Sequence, residues 1–307
     1  MFQYILRRVV LFIPVWLGVV ILTFFMMHMV PGNPVIAEFN GRPMTKAAIH
    51  LAEVQMGLTQ PIWTQLLTFM WNAVRGNLGM SWESHVPVVQ LIWQRMPYTL
   101  SLALWGLVFG AVAGVILGVV AAVTRGSALD QVLLVLSLLW FSFPGFWLAE
   151  MLIWLMSVDL NWLPVAGATG FKSLIMPSFV LAVGAAPVFL RLTRASMLEI
   201  LRSDYVRTAR AKGVWEWPVR IRHALRNALI PVVTVVALSF GGLLGGAFII
   251  EQVFSRPGLG TLIVQAILAR DLPLIQGVIL YTATVFLLVN LATDVLYAFL
   301  DPRIQYR

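Results

Sequence analysis

Long apolar runs alternate with short polar stretches along this chain. Six of the runs are long enough to cross a bilayer, which takes about 20 helical residues. They cover roughly residues 9–30, 100–123, 132–158, 174–190, 229–250 and 275–300. Backbone in lipid must satisfy its own hydrogen bonds, so runs this uniform predict helices. The third run is broken at Phe143-Pro144-Gly145, either as a plain kink or as part of a moving gate. The fourth is short and contains Pro177 and Pro187; Arg191 and Arg194, just beyond it, are expected to anchor its end at the interface. Between the first two runs the pattern changes. A turn cluster, Pro31-Gly32-Asn33-Pro34, ends the first span. Helical periodicity then appears over 45–57, with Thr45 as cap, over 62–74, and over 86–95, with a break at Gly76-Asn77-Leu78-Gly79. The chain therefore divides into 1–30 (N-terminus and first span), 31–97 (a helical cap) and 98–307 (a core with five more spans).

Composition strengthens this picture. Of 307 residues, 60% are hydrophobic and only 11% charged, against about 25% charged in soluble domains. The start, MFQYILRRVVLFIPVW, is basic and then apolar, but no small-residue cleavage site follows, so it reads as a retained span. The net charge of +8 would suggest nucleic acid in a soluble chain; here loop orientation accounts for it and no nucleic-acid partner is expected. With the N-terminus inside, fourteen Lys and Arg fall on inner segments and seven on outer ones. The positive-inside rule then predicts both termini in the cytoplasm. Cysteine is absent, which excludes disulfides and thiolate sites.

The densest positive cluster lies between the fourth and fifth runs. Nine basic residues, Arg191, Arg194, Arg202, Arg207, Arg210, Lys212, Arg220, Arg222 and Arg226, meet only three acids, Glu199, Asp204 and Glu216. Here a short helix is predicted from Asp204, capped by Ser203 and stopped by Gly213 in a left-handed conformation. At 100° per residue Tyr205, Thr208, Ala209 and Lys212 share a small, semi-apolar face suited to a partner's groove. Val206, Arg207 and Arg210 take the other, expected to face solvent or phosphate. Pro218 fits the first turn of a second helix.

Asp204-Tyr205-Val206-Arg207-Thr208-Ala209-Arg210-Ala211-Lys212-Gly213, followed by His223-Ala224-Leu225-Arg226-Asn227-Ala228-Leu229-Ile230-Pro231, resembles the coupling loop, or EAA loop, of ABC-importer permeases. It is most similar to the dipeptide/oligopeptide/nickel subfamily. Where the general pattern has Glu-Ala-Ala, this chain has Arg207-Thr208-Ala209, and the interval from Gly213 to Pro231 is longer than in sugar or amino-acid permeases. Gly57-Leu58-Thr59-Gln60-Pro61, the stretch 251–260, Arg270-Asp271-Leu272-Pro273 and the stretch 290–304 extend the resemblance over nearly the whole chain. It implies an all-α membrane protein with the six-span type I ABC-importer permease fold and an outer helical cap between spans 1 and 2. It also implies a homologous second permease, two cytoplasmic ATPase subunits gripping residues 204–213, and a periplasmic or lipid-anchored binding protein meeting the cap. The bacterial or archaeal cytoplasmic membrane is the implied location. Di- and oligopeptides are the implied cargo, with nickel chelates and glutathione in sister branches.

Enzyme chemistry finds no support in the residues. His28, His50, His85 and His223 are scattered without metal-ligand spacing, and no HExxH, GxSxG or phosphate-loop motif occurs, so neither a cofactor nor an ATP site of its own is expected. A stand-alone channel or secondary transporter predicts ionisable pairs at mid-membrane depth, where Glu150 alone is a candidate, or an internal repeat, which is absent. Glu150 either lines a path and meets cationic substrate groups or sits near enough to the outer edge to be wetted. In the fifth run Gly241-Gly242 and Gly245-Gly246, four apart, allow either close packing inside one bundle or a pathway and permease interface. Ser239, Gly242 and Gly246 are the remaining candidates for the substrate path.

Overall fold

The structure, a computed structural model, describes residues 2–29, 35–36 and 45–300. The turn cluster at 31–34 and the basic residues Arg42, Arg303 and Arg307 lie outside the described residues. Among the described residues there is no strand, only an isolated bridge between Met80 and Pro87. Among these residues eleven main helices follow in order: α1 Phe2–His28, α2 Lys46–Gln55, α3 Ile62–Val74, α4 Val88–Val123, α5 Ala128–Ser142, α6 Gly145–Ile153, α7 Lys172–Ile200, α8 Asp204–Ala211, α9 Arg226–Val253, α10 Leu259–Ala269 and α11 Leu272–Leu300. Among the described residues five helices are long and apolar enough to cross a membrane, and α5 with α6 and its π-helical extension Trp154–Asp159 makes a sixth if counted as one broken span.

Several elements run longer than periodicity predicts. The third cap helix and the second span are one helix, α4, continuous through Pro97. The fourth span is 29 residues, and Pro177 and Pro187 lie within it without ending it. Its proline positions are tolerated because neighbours surround them: α7 is the most buried of the five long spans. The third run bends by 96° at Phe143-Pro144. Phe143 is extended, the conformation favoured before proline. Helix α10, in a stretch expected to be an outer loop, is too short to span.

The chain forms two compact units, Met1–Pro97 with Gly258–Ala292, and Tyr98–Pro257 with Thr293–Arg307. In the first, α1 is tied to α11 by Trp16 Nε1 donating to Thr284 Oγ1 at 2.9 Å. Thr45 caps α2, accepting from the Ala48 amide at 3.3 Å. A short turn at 81–86 is pinned by Ser81 Oγ, which donates to the buried carboxylate of Asp271 at 2.5 Å. The other oxygen of Asp271 accepts from the Leu274 amide and so caps α11.

In the second unit α7 is the hub. Gly106, Gly110, Gly114 and Gly118 of α4 lie four apart and abut it throughout. A Cβ on Gly114 would stand 2.6 Å from Cβ of Phe189 and 2.8 Å from the Ala186 carbonyl oxygen. One on Gly118 would stand 2.7 Å from the Leu190 carbonyl oxygen. Only glycine lets these backbones approach so closely. The fifth-span glycines do something else: nothing lies within 4 Å of where a Cβ would sit on Gly242 or Gly245. In this unit the tightest glycine packing is therefore that of the second span, and the Gly242/Gly245 face of α9 is open.

Candidate functional site

Two places in the second unit hold the candidate residues. The first is the connection from α7 to α9. Ser203 has the extended backbone of an N-cap, but its hydroxyl donates back to the Ile200 carbonyl at 2.6 Å instead of accepting from α8. Asp204 supplies the negative charge for the first turn. The helix ends as its glycine predicts. Gly213 has φ +78°, its amide bonds the Arg210 carbonyl, and the Val214 amide bonds that of Ala209, the paired closure of a Schellman motif.

Which face points inward differs from the helical-wheel expectation. Val206 is fully buried, so it anchors α8 and does not face solvent. Arg210 stays exposed, as expected, with its Nε bonding Glu216 Oε1 at 2.8 Å. Glu216 bridges on to Arg220 Nε at 3.2 Å. The reason is thermodynamic: one apolar β-branched side chain on an otherwise polar helix is the one worth burying, and an acid six residues on neutralises the arginine beside it. Tyr205 is held as well: its hydroxyl accepts from Asn227 Nδ2 at 2.9 Å and donates to the His223 carbonyl at 3.3 Å. Ala209 is half-buried, while Asp204, Arg207, Thr208, Ala211, Lys212 and Gly213 are exposed. The free face thus centres on Thr208 and Ala211, small residues, with Arg207 and Lys212 on its flanks.

Pro218 does lie in the first turn of a helix, which begins at Glu216 and passes through a π-helical stretch, Val219–Leu225, into α9. Ala224 of that stretch and Ala228 of α9 pack with Met197 of α7 and Ala122 of α4. The loop is therefore mechanically continuous with three spans. Trp215 and Trp217, 83% and 72% exposed, flank Glu216 in the chain. Charge and helix signals gave no reason to single them out; the Trp-Glu-Trp-Pro run in a basic loop was the available signal.

Arg194, expected as an interfacial anchor, is engaged within the chain. Its Nε and Nη2 each donate at 2.8 Å to Asp130, near the start of α5. Asp130 is buried, and its Oδ2 also accepts from the Gly126 amide at 3.0 Å. Arg191 lies over the Phe141 ring, 6.0 Å from its centroid.

The second place is a cavity of about 480 Å³ between α6, α7 and α9. Ser239, Gly242 and Gly246 all line it, with Phe146, Leu181 and Ile250 among the apolar remainder. The Ser239 hydroxyl is already spent on the Val235 carbonyl at 2.7 Å. Glu150 is exposed on α6 and is not among the lining residues. A wall this apolar offers volume and a slippery surface, with no set of converging polar groups to read one ligand.

Comparison with known proteins agrees over the whole length. Residues 114–306 match the family model "binding-protein-dependent transport system inner membrane component", and residues 1–103 match the N-terminal model of the same kind of transport-system membrane component. The dipeptide transport system permease protein DppB of Escherichia coli K12 is 40% identical, with all of both chains covered. The glutathione transport system permease protein GsiC of Escherichia coli O6:H1 is 42% identical, again over all of both chains. A solved structure of the MetNI methionine ABC transporter in inward-facing conformations superposes with a TM-score of 0.59. It is 22% identical and covers 69% of this chain and 97% of that one, a likeness of fold.

Proposed function

The chain belongs to the family of binding-protein-dependent transport system inner membrane components, and we propose that it is the permease subunit of an ATP-driven importer of short peptides. The observation that carries this reading is α8 with its left-handed glycine stop, presenting a small exposed face while its loop packs into three spans. A rigid element of that kind transmits a partner's motion to helices without chemistry of its own. The residues assigned to this contact are Asp204, Tyr205, Arg207, Thr208, Ala209, Arg210, Ala211, Lys212 and Gly213. Their roles differ: Thr208, Ala211, Arg207 and Lys212 meet the groove, and Tyr205 and Arg210 hold the helix in place. The occupants are two cytoplasmic ATPase subunits, one on this chain and one on a homologous second permease. That orientation puts both termini in the cytoplasm and residues 31–97 outside, where a periplasmic or lipid-anchored binding protein delivers cargo.

The open glycine face of α9 and the apolar cavity support a path completed by the second permease. Selection then rests with the binding protein and the path stays permissive. Dipeptides fit best, given the full-length similarity to a dipeptide permease. Glutathione, itself a short peptide, is the second reading, favoured by the similarity to GsiC. Vesicles carrying the assembled complex, offered labelled dipeptide, glutathione and nickel side by side, are expected to accumulate the dipeptide on ATP addition. Uptake of nickel without any peptide would overturn the cargo and leave the importer standing.

Coupling has its own test. Gly213→Val forces a branched side chain into left-handed backbone, at about 1–2 kcal/mol, although no neighbouring atom obstructs it. Transport per ATP hydrolysed in the same vesicles is expected to fall on the order of tenfold, with the ATPases still co-purifying. Unchanged transport and unchanged ATPase activity would remove α8 from the coupling path.

A further inference from the structure

Helix α3 has three kinds of surface where a cap helix needs two. At 100° per residue its inward sector holds Leu66, Phe69, Met70 and Ala73, of which Leu66 is buried and the others half-buried. A polar sector holds Thr64, Thr68 and Asn72. Between them runs an apolar stripe, Trp63, Leu67, Trp71 and Val74, each between 56% and 65% exposed. No charged side chain occurs between Glu53 and Arg75.

The depth of this helix can be read from its contacts. Phe69 lies against Phe24 of α1, with ring centroids 5.8 Å apart. Trp63 meets Phe25 edge-on at 6.4 Å, and Gln65 Oε1 is 3.2 Å from His28 Nε2. Phe24 and Phe25 are four and three residues before the end of the first span, roughly 5–6 Å along its axis. That end of α1 also exposes Ile21, Leu22 and Met26, the side chains a span turns to lipid. The stripe therefore continues the lipid-facing surface of the first span at the level where acyl chains give way to headgroups. Tryptophan is enriched at that level because its ring is apolar and its N–H needs water or an ester. Arg75 closes the helix with its guanidinium 4.3 Å from the centroid of the Trp71 ring.

We propose that α3 is an interfacial helix embedded in the headgroup–acyl boundary, with Trp63, Leu67, Trp71 and Val74 in contact with lipid and Thr64, Thr68 and Asn72 in water. Lipid is the occupant that the stripe's composition fits. The stripe is tryptophan and aliphatic side chain only, it adjoins the exposed apolar end of the first span, and no charged side chain occurs on this 21-residue stretch. Which leaflet is involved follows from the orientation proposed above; contact with lipid does not depend on it.

The absence of cysteine makes the test clean. Leu67→Cys, Val74→Cys and Thr68→Cys are each nitroxide-labelled in the full complex, in vesicles of phosphatidylethanolamine and phosphatidylglycerol. At 67 and 74 the collision rate with oxygen is expected to exceed that with a water-soluble nickel chelate severalfold, and at 68 the order should reverse. Equal, high access of the chelate at 67, 68 and 74 would overturn the proposal. Shielding of 67 and 74 from both reagents would also do so, by showing that protein covers the stripe. Binding protein is then added. Unchanged oxygen access at 67 is expected, and its loss would reassign the stripe to docking.

Discussion

Asp130→Ala is expected to destabilise the protein by about 2–3 kcal/mol, because it strips a half-buried guanidinium of its partner. Two parallel bonds of 2.8 Å join Asp130 to Arg194, and the Arg194 side chain is only 23% exposed. Asp130 has two further tasks. Its amide donates to Ser127 Oγ at 3.3 Å, and its carboxylate takes the Gly126 amide, so the turn into α5 loses its closure as well. The measurement is thermal unfolding of the purified complex in detergent. In the double variant Asp130→Ala with Arg194→Met no charge is left stranded, so it should recover much of the loss. If the double variant were as unstable as the sum of the single ones, the pair would contribute nothing as a pair.

Gly114→Ala is the second large effect, and it is the smallest change that can be made. The new methyl would stand 2.6 Å from Cβ of Phe189, 2.8 Å from the Ala186 oxygen and 3.1 Å from the Leu190 nitrogen. Two of these three are backbone atoms of α7, which cannot rotate aside, so the helices must separate. Overpacking of this kind costs about 1–3 kcal/mol. Gly245→Ala is the matched control: it adds the same methyl within a span, where no atom lies within 4 Å. Alanine should there be neutral or better in unfolding temperature, since glycine is the poorer helix former. Equal unfolding temperatures for the two variants would show that the α4 glycine stripe is not a packing requirement. A transport defect in Gly245→Ala without loss of stability would instead place that open face against the second permease.

Most of the architecture was legible in one dimension. A span must hide every backbone polar group within its own helix, so its signature is local, and each apolar run reappears as a helix or, at 132–158, as the bent pair α5 and α6. Helix α3 begins and ends where its periodicity does, and Gly213 stops α8 because a left-handed terminus is a property of one residue. Family membership was likewise written in the motif 204–231. What needed the tertiary structure were the choices among equivalent local signals. Two glycine ladders with four-residue spacing exist, at 106–118 and 241–246, and spacing cannot say which one meets a neighbour. A wheel drawn for α8 cannot tell that Val206 is inside, because with one apolar residue the inward direction is set by the surface it lands on. Ser127 caps α5 through the nearby Asp130 amide, but the partner of the Asp130 carboxylate is 64 residues away, and only the packing of α5 on α7 brings Arg194 to it. Local propensities are encoded by neighbours in sequence; burial, pairing and close approach are decided by neighbours in space.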